Sequence, residues 1–521
     1  MSHFLIALIA SCVLILNQSE AARILGVFPV ASISHQVVFR PITQELVRRG
    51  HTVTVITPDP AFPKGETPQN LTEIDVHDIS YDVWNEKFMS ISKGKKSDLY
   101  QHIERYLESI VYMFDAQLQD KNVRNLIEDK SKQFDLILLE SSARLGLIFS
   151  HIYKAPVIMI SSYGGSFDNY DVVGAPRHPF LYPICVRQRL HNLSLWEKIT
   201  ELYLHLRSEE MAASNYAKEN AILRKHFGSN IPKIEELNNN VHMLFLNINP
   251  VFEGIRPVPP TVVFMGGLHQ KPVKELPKDL KNYLDSSKNG VIYLSFGTNV
   301  DPTQLPSDFI QTLINALSKL PYDVLWKWNG DELPGRTENI RISKWLPQSD
   351  LLRHPKIKLF ITQGGLQSTD EAIIAGVPLI GIPMLGDQWF NVEKYIYHKI
   401  GLGLDMETVT EEDLINAVKN IIHDESYRQN IIKLRNAMHD QPQSPLERAV
   451  WWTEHVLRHG GARHLRGPAA NMSWAEYLEL ELVFTLLFTL LVVITILIVS
   501  LRFMLKALHQ RVNQYIKLKQ S

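Results

Sequence analysis

Trp345-Leu346-Pro347-Gln348, then Phe360-Ile361-Thr362-Gln363-Gly364-Gly365-Leu366-Gln367-Ser368-Thr369-Asp370-Glu371, and last Gly386-Asp387-Gln388, form the most informative part of this chain. Its middle part is an apolar strand that meets a Gly-Gly turn and continues into a helix carrying an acid. A second apolar run at 378–382 follows, with its own polar tip at 386–388. Strand, glycine turn, helix and strand in that order make a parallel α/β unit. The turn brings backbone N–H groups and a helix N-terminus to one spot, where a diphosphate can bind. A carboxylate one helical turn further in, Glu371, can reach ribose hydroxyls, and the Trp345 ring upstream offers a face to a base. The stretch describes a nucleotide diphosphate site.

The same alternation extends outward. Upstream, 291–298 reads as a strand, 308–320 as a helix and 324–328 as a strand. At the start of the chain, 23–30 is an apolar strand followed by a polar loop holding His35. A helix-period segment at 37–49 is stopped by Gly50, and 52–57 is a β-branched strand. Buried strands at 134–139 and 156–160 bracket a helix at 144–153. Between the two α/β blocks, 256–260 and 270–272 have the Pro-rich composition of a linker. The expected class is therefore α/β with two doubly wound, Rossmann-like domains, at 22–255 and 276–465, joined by a linker at 256–275.

Size and charge set bounds. The 521 residues are enough for two or three domains, and a net charge of −1 gives no electrostatic footprint for nucleic acid. Of two cysteines, Cys12 lies in an apolar leader, leaving Cys185 with no intrachain partner and no His neighbour to activate it. Residues 4–16 are apolar, too short to span a bilayer and followed by small residues, so 1–21 reads as a cleaved signal peptide. Residues 482–501 hold no charge. Glu476, Glu479 and Glu481 precede them; Arg502, Lys506, Arg511, Lys517 and Lys519 follow with no acid. That asymmetry predicts one transmembrane helix, a cytosolic tail at 502–521 and a lumenal remainder. Lys519 and Lys517, third and fifth from the end, resemble a dilysine retrieval signal, so the expected address is the endoplasmic reticulum membrane, single-pass type I. Asn70 and Asn192 are N-glycosylation candidates, while Asn471 lies close to the bilayer. Gly26-Val27-Phe28-Pro29 gives no G-x-G-x-x-G, which argues against a nicotinamide oxidoreductase.

The stretch 345–388 resembles the signature of the UDP-glycosyltransferase family. Leader, two-domain pattern, anchor and tail are similar to its membrane-bound animal branch over essentially the whole chain. Gln363 stands where vertebrate members usually carry His, which resembles arthropod members, typically glucosyltransferases. The resemblance implies a GT-B type fold of two facing domains, the first binding the acceptor and the second the UDP-sugar. It implies that Trp345 stacks on uracil and Gln348 meets the base edge. Gln363, Gly364 and Gly365 would hold the diphosphate with Ser295 and Thr298, and Gln367 and Ser368 would lie beside it. Lys327 would stand near the nucleotide, Glu371 would accept both ribose hydroxyls, and Asp387 and Gln388 would bind the sugar's 3- and 4-hydroxyls.

On the acceptor side the resemblance implies His35 as general base, a role that imidazole suits near neutral pH. Glu140 matches the carboxylate that orients it, where vertebrate members carry Asp. Asp135 is a rival, but it begins its strand and points away from the C-terminal edge. The implied reaction is inverting transfer of a hexose, glucose by resemblance, from UDP-sugar to the hydroxyl of a small lipophilic acceptor, with no cofactor and no metal. Lateral association into a homo-oligomer in the membrane stays open. Two alternatives also stay open: a transferase acting on a membrane lipid or sterol, and a non-catalytic UDP-sugar-binding protein.

Overall fold

A computed structural model describes residues 21–90, 93–165, 168–176 and 178–520. The leader expected over 1–21 lies, but for Ala21, outside the described residues. Arg23–Val27 (β1) starts the first sheet. It is joined by Thr52–Thr57 (β2), Leu71–Asp75 (β3), Leu136–Glu140 (β4), Val157–Ser161 (β5), Val241–Leu246 (β6) and Val262–Phe264 (β7). Every pairing is parallel, in the order β3-β2-β1-β4-β5-β6-β7. The second sheet holds Val291–Ser295 (β8), Asp323–Lys327 (β9), Ile340–Ser343 (β10), Ile357–Thr362 (β11), Leu379–Gly381 (β12) and Gly401–Gly403 (β13). It is parallel too, in the order β10-β9-β8-β11-β12-β13.

These orders locate the chemistry before any side chain is considered. Each chain block begins in mid-sheet, winds to one edge and returns to the other side of its first strand. The reversal falls between β1 and β4 in one sheet and between β8 and β11 in the other. In open parallel sheets the ligand crevice opens at the carboxyl ends beside that reversal. Glu140 is the last residue of β4, Ser295 the last of β8 and Thr362 the last of β11.

The strands form because helices cover both faces. Leu136, Ile137, Leu138 and Leu139 are all buried, and each contributes about 1.5–3 kcal/mol by leaving water. Ile33–Arg48 (α1) packs against this sheet through Val38, Phe39, Ile42 and Leu46, spaced for one helical face. Leu99–Gln117 (α2) and Leu195–Phe227 (α3) pack on each other, while Leu366–Ala375 (α4) and Gln388–Tyr397 (α5) follow the strands of the second sheet. Pro445–Arg458 (α6) comes back to the first sheet, burying Ala449, Val450 and Val456 among Ile24, Phe28 and Phe39, and its Glu454 pairs with Arg49 at 3.0 Å.

Several expectations are amended. His35 sits in the first turn of α1 and not in a loop before it, because the helix begins at Ile33. β3, β6, β10 and β13 carried no strand reading, and β7 forms inside the Pro-rich segment 256–275, where it caps the edge of the first sheet. Cys185 is buried among Leu99, Ile103 and Trp389, and burial pushes its thiol up, as suits an inert side chain.

Both sheets belong to one compact unit ending at Pro468; Ala469–Ser521 form a second. That second unit contains Leu480–Gln520 (α7). Among the described residues α7 alone is long and apolar enough to cross a membrane by length and composition. Its 41 residues at about 1.5 Å each exceed a hydrocarbon core of roughly 30 Å. The helix thus continues through the basic tail read from the sequence.

Candidate functional site

A cavity of about 650 Å³ opens between the carboxyl ends of the two sheets. Of the residues expected in catalysis and donor binding, all but Glu140 and Gly364 line it.

Glu140 lies behind His35. Its side chain is buried, with Oε1 at 2.6 Å from His35 Nδ1, and Oε2 accepts the Val30 backbone N–H at 3.2 Å. Both carboxylate oxygens therefore have a donor, and the His35 ring is fixed with Nδ1 inward and Nε2 free to face the cavity. Tyr163 stands edge-on to that ring at 5.8 Å between centroids. Asp135, the rival carboxylate, instead pairs with Arg23 at the opposite end of the sheet.

On one side of His35 the wall is aromatic. Trp84, Phe88 and Tyr106 form a cluster, with ring centroids 4.4 Å apart for the first two and 5.9 Å for the last two. Ile33, Ile103 and Val186 extend this wall. None of these wall residues was singled out from the sequence, where the only sign of them is the density of aromatic residues between 84 and 106.

On the other side stand the loops of the second sheet. Gly364 has φ +90, and a Cβ there would meet Val392 Cγ2 at 2.8 Å, so only glycine closes this turn. α4 then starts at Leu366, with Gly365 as N-cap and no side chain capping it. The N–H groups of its first turn are left for a ligand, and the helix dipole favours an anion at that place. Gly297, at φ +75, packs against the Gln363 amide, where a Cβ would overlap Nε2. Ser295 Oγ accepts the Gly297 N–H at 3.3 Å and Lys327 Nζ donates to the Gly297 carbonyl. Burial lowers the Lys327 ammonium, whose Nζ lies 5.4 Å over the Trp345 ring. That ring is 68% exposed, unusual for Trp and suited to a flat partner.

Glu371 is organised by neighbours. Tyr293 Oη donates to Gln348 Oε1 at 3.0 Å, which turns the Gln348 amide nitrogen toward Glu371 Oε2 at 2.7 Å and Ser368 Oγ at 2.9 Å. Gln348, expected at the base edge, thus has its amide engaged inside the protein. Burial pushes the Glu371 carboxyl up, and hydroxyl donors would offset that cost. At the sugar end, burial also raises Asp387, while Asn391 Nδ2 binds its Oδ2 at 2.8 Å and the Gly364 carbonyl at 2.9 Å. Gln388 Oε1 accepts from the backbone of Met384 and Leu385 at 2.8 and 3.0 Å, which leaves Nε2 as its donor. Gln367 also lines the cavity, and its Nε2 donates to the backbone carbonyls of Ser162 at 2.9 Å and Ser34 at 3.4 Å, across the cleft. Asn299, not singled out from the sequence, also crosses the cleft to Ser32.

Residues 23–515 match the family model described as UDP-glucoronosyl and UDP-glucosyl transferase. The ecdysteroid UDP-glucosyltransferase of Spodoptera littoralis nuclear polyhedrosis virus is 36% identical over 493 residues, covering 91% of this chain and 95% of the viral protein. The UDP-glycosyltransferase UGT5 of Dactylopius coccus is 32% identical, with 88% of each chain covered. Among solved structures, the glycotransferase of kitacinnamycin superposes with a TM-score of 0.56 at 19% identity, over 84% of this chain and 98% of its own. Arabidopsis thaliana UGT89C1, solved with UDP-L-rhamnose, gives 0.55 at 18% identity, over 84% and 99%. These last two likenesses carry the fold alone: two facing Rossmann-like sheets of GT-B type. Fold, family match and relatives converge, and the chain belongs to the UDP-glucuronosyl and UDP-glucosyl transferase family and is a UDP-glycosyltransferase.

Proposed function

We propose that this enzyme transfers glucose from UDP-glucose to a hydroxyl of a small lipophilic acceptor, with inversion at the anomeric carbon. The observation that carries the reading is the His35–Glu140 pair, 2.6 Å apart, standing between an aromatic wall and an uncapped helix N-terminus. His35 Nε2 takes the acceptor's proton as its oxygen attacks C1 of the sugar, and Glu140 holds the tautomer that leaves Nε2 open. The C1–O bond to UDP breaks, and its electron pair leaves on the β-phosphate. The N–H groups of α4, with those around Gly364 and Gly365, receive that charge together with Ser295, Thr298 and Gln363. Trp345 carries uracil, Glu371 the ribose, and Asp387 with Gln388 the hexose hydroxyls, with Lys327 and Ser368 beside the nucleotide.

Glucose as donor sugar is supported by relatives named as glucosyltransferases, among them UDP-glucosyltransferase 2 of Dactylopius coccus at 30% identity. A lipophilic acceptor is supported by the wall of Trp84, Phe88 and Tyr106, and the viral relatives named for ecdysteroids make a hydroxylated steroid the first compound to try. Acceptor binding is assigned to the domain of the first sheet, 22–255, to which β7 and α6 add, and donor binding to that of the second, within 276–465. The uncharged run of α7 and the two lysines near its end support an anchor in the endoplasmic reticulum membrane with the enzyme lumenal. Asn70 and Asn192 are exposed, as glycosylation requires. A non-catalytic binding protein would need neither His35 nor its carboxylate. Microsomes containing the full chain, given labelled UDP-glucose or UDP-glucuronate with a panel of steroids, flavonoids and phenols, test the reading. Transfer from UDP-glucose is expected; UDP binding without transfer to any acceptor contradicts it.

A further inference from the structure

α1, which carries His35, has Ser32 as its N-cap. A serine there ordinarily turns its hydroxyl back to accept a backbone N–H of the first turn. Ser32 makes no such bond. Its Oγ instead lies 3.2 Å from Asn299 Nδ2 and 3.4 Å from Oδ1, and 2.9 Å from Ser34 Oγ. Asn299 directly follows Thr298, in the loop after β8. A second link stands one residue before His35, where the Ser34 carbonyl accepts from Gln367 Nε2 at 3.4 Å; the same nitrogen binds the Ser162 carbonyl, just past β5, at 2.9 Å. Gln367 lies in the first turn of α4, two residues beyond Gly365. Each of the two diphosphate-side loops therefore extends one side chain across the cleft to the turn that presents the base. A local rule, the helix cap, is given up to make one of these links, which is the mark of a functional constraint.

We propose that Gln367 and Asn299 are positioning residues, which register the donor-binding loops of the second sheet against the turn of α1 that carries His35. The proposal rests on the reading of His35 as base and of those loops as the diphosphate site. The chemistry favours it over a donor-binding role for Gln367. Two carbonyl acceptors face the amide nitrogen, whose two N–H groups match them; contact with a phosphate through that nitrogen would forfeit at least one of these bonds. A carboxylate at this position would set oxygen against oxygen. His35 N–H itself bonds to the Ser32 carbonyl at 2.9 Å, so both links act within three residues of the base. Displacement of a reacting group by about 1 Å can cost roughly a hundredfold in rate, which is why such links matter to turnover and little to donor affinity.

The test uses full-length protein in microsomes, with kcat expressed per UDP-binding site so that misfolded protein drops out. Gln367→Met, Asn299→Ala and Ser32→Ala are each expected to lower kcat about five- to tenfold, the worth of one or two neutral hydrogen bonds, with the Kd for UDP held within about twofold. Ser32→Ala combined with Asn299→Ala should fall no further than the worse single change. Asn299→Asp, whose carboxylate still accepts from the Ser32 hydroxyl, should restore most of kcat while Ser32 is present and none of it in Ser32→Ala. An unchanged kcat with UDP affinity about tenfold weaker in Gln367→Met would make that residue a donor ligand and overturn the proposal. Multiplicative losses in the double variant would overturn it as well. Full turnover in His35→Ala would instead remove the base reading beneath it, so the two failures are told apart.

Discussion

Replacing Glu140 by Gln isolates the part of the site most specific to catalysis. The side chain keeps its length and shape, and it is 1% exposed, so packing is preserved. What changes is the number of acceptors. In the native enzyme Oε1 faces His35 Nδ1 at 2.6 Å and Oε2 takes the Val30 N–H at 3.2 Å. An amide has one oxygen for these two donors. If that oxygen goes to Val30, the amide NH₂ faces Nδ1, the proton moves to Nε2 and the base is blocked. If it goes to Nδ1, the buried Val30 N–H is left against a donor, and a neutral bond replaces a charge-assisted one. The second outcome costs about 1–2 kcal/mol, or roughly 5- to 30-fold in kcat. The first approaches the about 10⁴-fold seen when the orienting Asp of a Ser-His-Asp triad becomes Asn. We therefore expect kcat to fall by between about 5-fold and about 10⁴-fold in Glu140→Gln, according to which way the amide turns, with the Kd for UDP unchanged within about twofold. Microsomal transfer of labelled glucose, beside equilibrium binding of UDP, measures both. A kcat within about threefold of native would refute the dyad.

Trp345→Ala should weaken UDP by about 1–3 kcal/mol, the worth of one base stacked on an aromatic ring, and leave kcat at saturating donor near native. Its ring is 68% exposed, so thermal stability should hold, and isothermal titration reads the difference. Asp370, buried with its Oδ2 lacking a hydrogen-bond partner among the described residues, has its carboxyl pushed up to about 8 by burial and by Glu371 and Glu253. A raised acid penalises the fold as pH climbs from its unfolded value near 4, and the penalty is complete above about 8. Asp370→Asn should therefore raise Tm by an amount that grows from nothing near pH 4 to the equivalent of a few kcal/mol at pH 8, in unfolding scans across that range. A chain ending at Pro468 should leave the membrane fraction and keep UDP affinity within about twofold, since the compact unit closes there.

Much of this was legible in the sequence because it lies in contiguous runs. Gly364-Gly365 demanded a turn, the apolar run before it demanded a buried strand, and together they placed α4 and its N-terminus. Residues that act through distant partners were harder to read. The orientation of the Gln348 amide is set by Tyr293, 55 positions away, which donates to its oxygen. The bonds of Gln367 to the Ser162 and Ser34 carbonyls join positions far apart in the chain, and no local run announces them. His35 was expected in a loop because the polar Ser-Ile-Ser-His-Gln run hides a helix start whose cap serine is engaged elsewhere. The short strands β7, β10 and β13 hold three or four residues each, too few to show a period, and only pairing with neighbours defines them.

Base-assisted, inverting transfer is tested by the turnover of His35→Ala beside native enzyme. The assay should use UDP-glucose and a hydroxylated steroid, with the anomeric configuration of the product read by NMR. A β-glucoside from native enzyme, and kcat lower by about 10²–10⁴-fold in the variant at unchanged UDP affinity, is the predicted result. An α-glucoside, or a variant that turns over at the native rate, would contradict it.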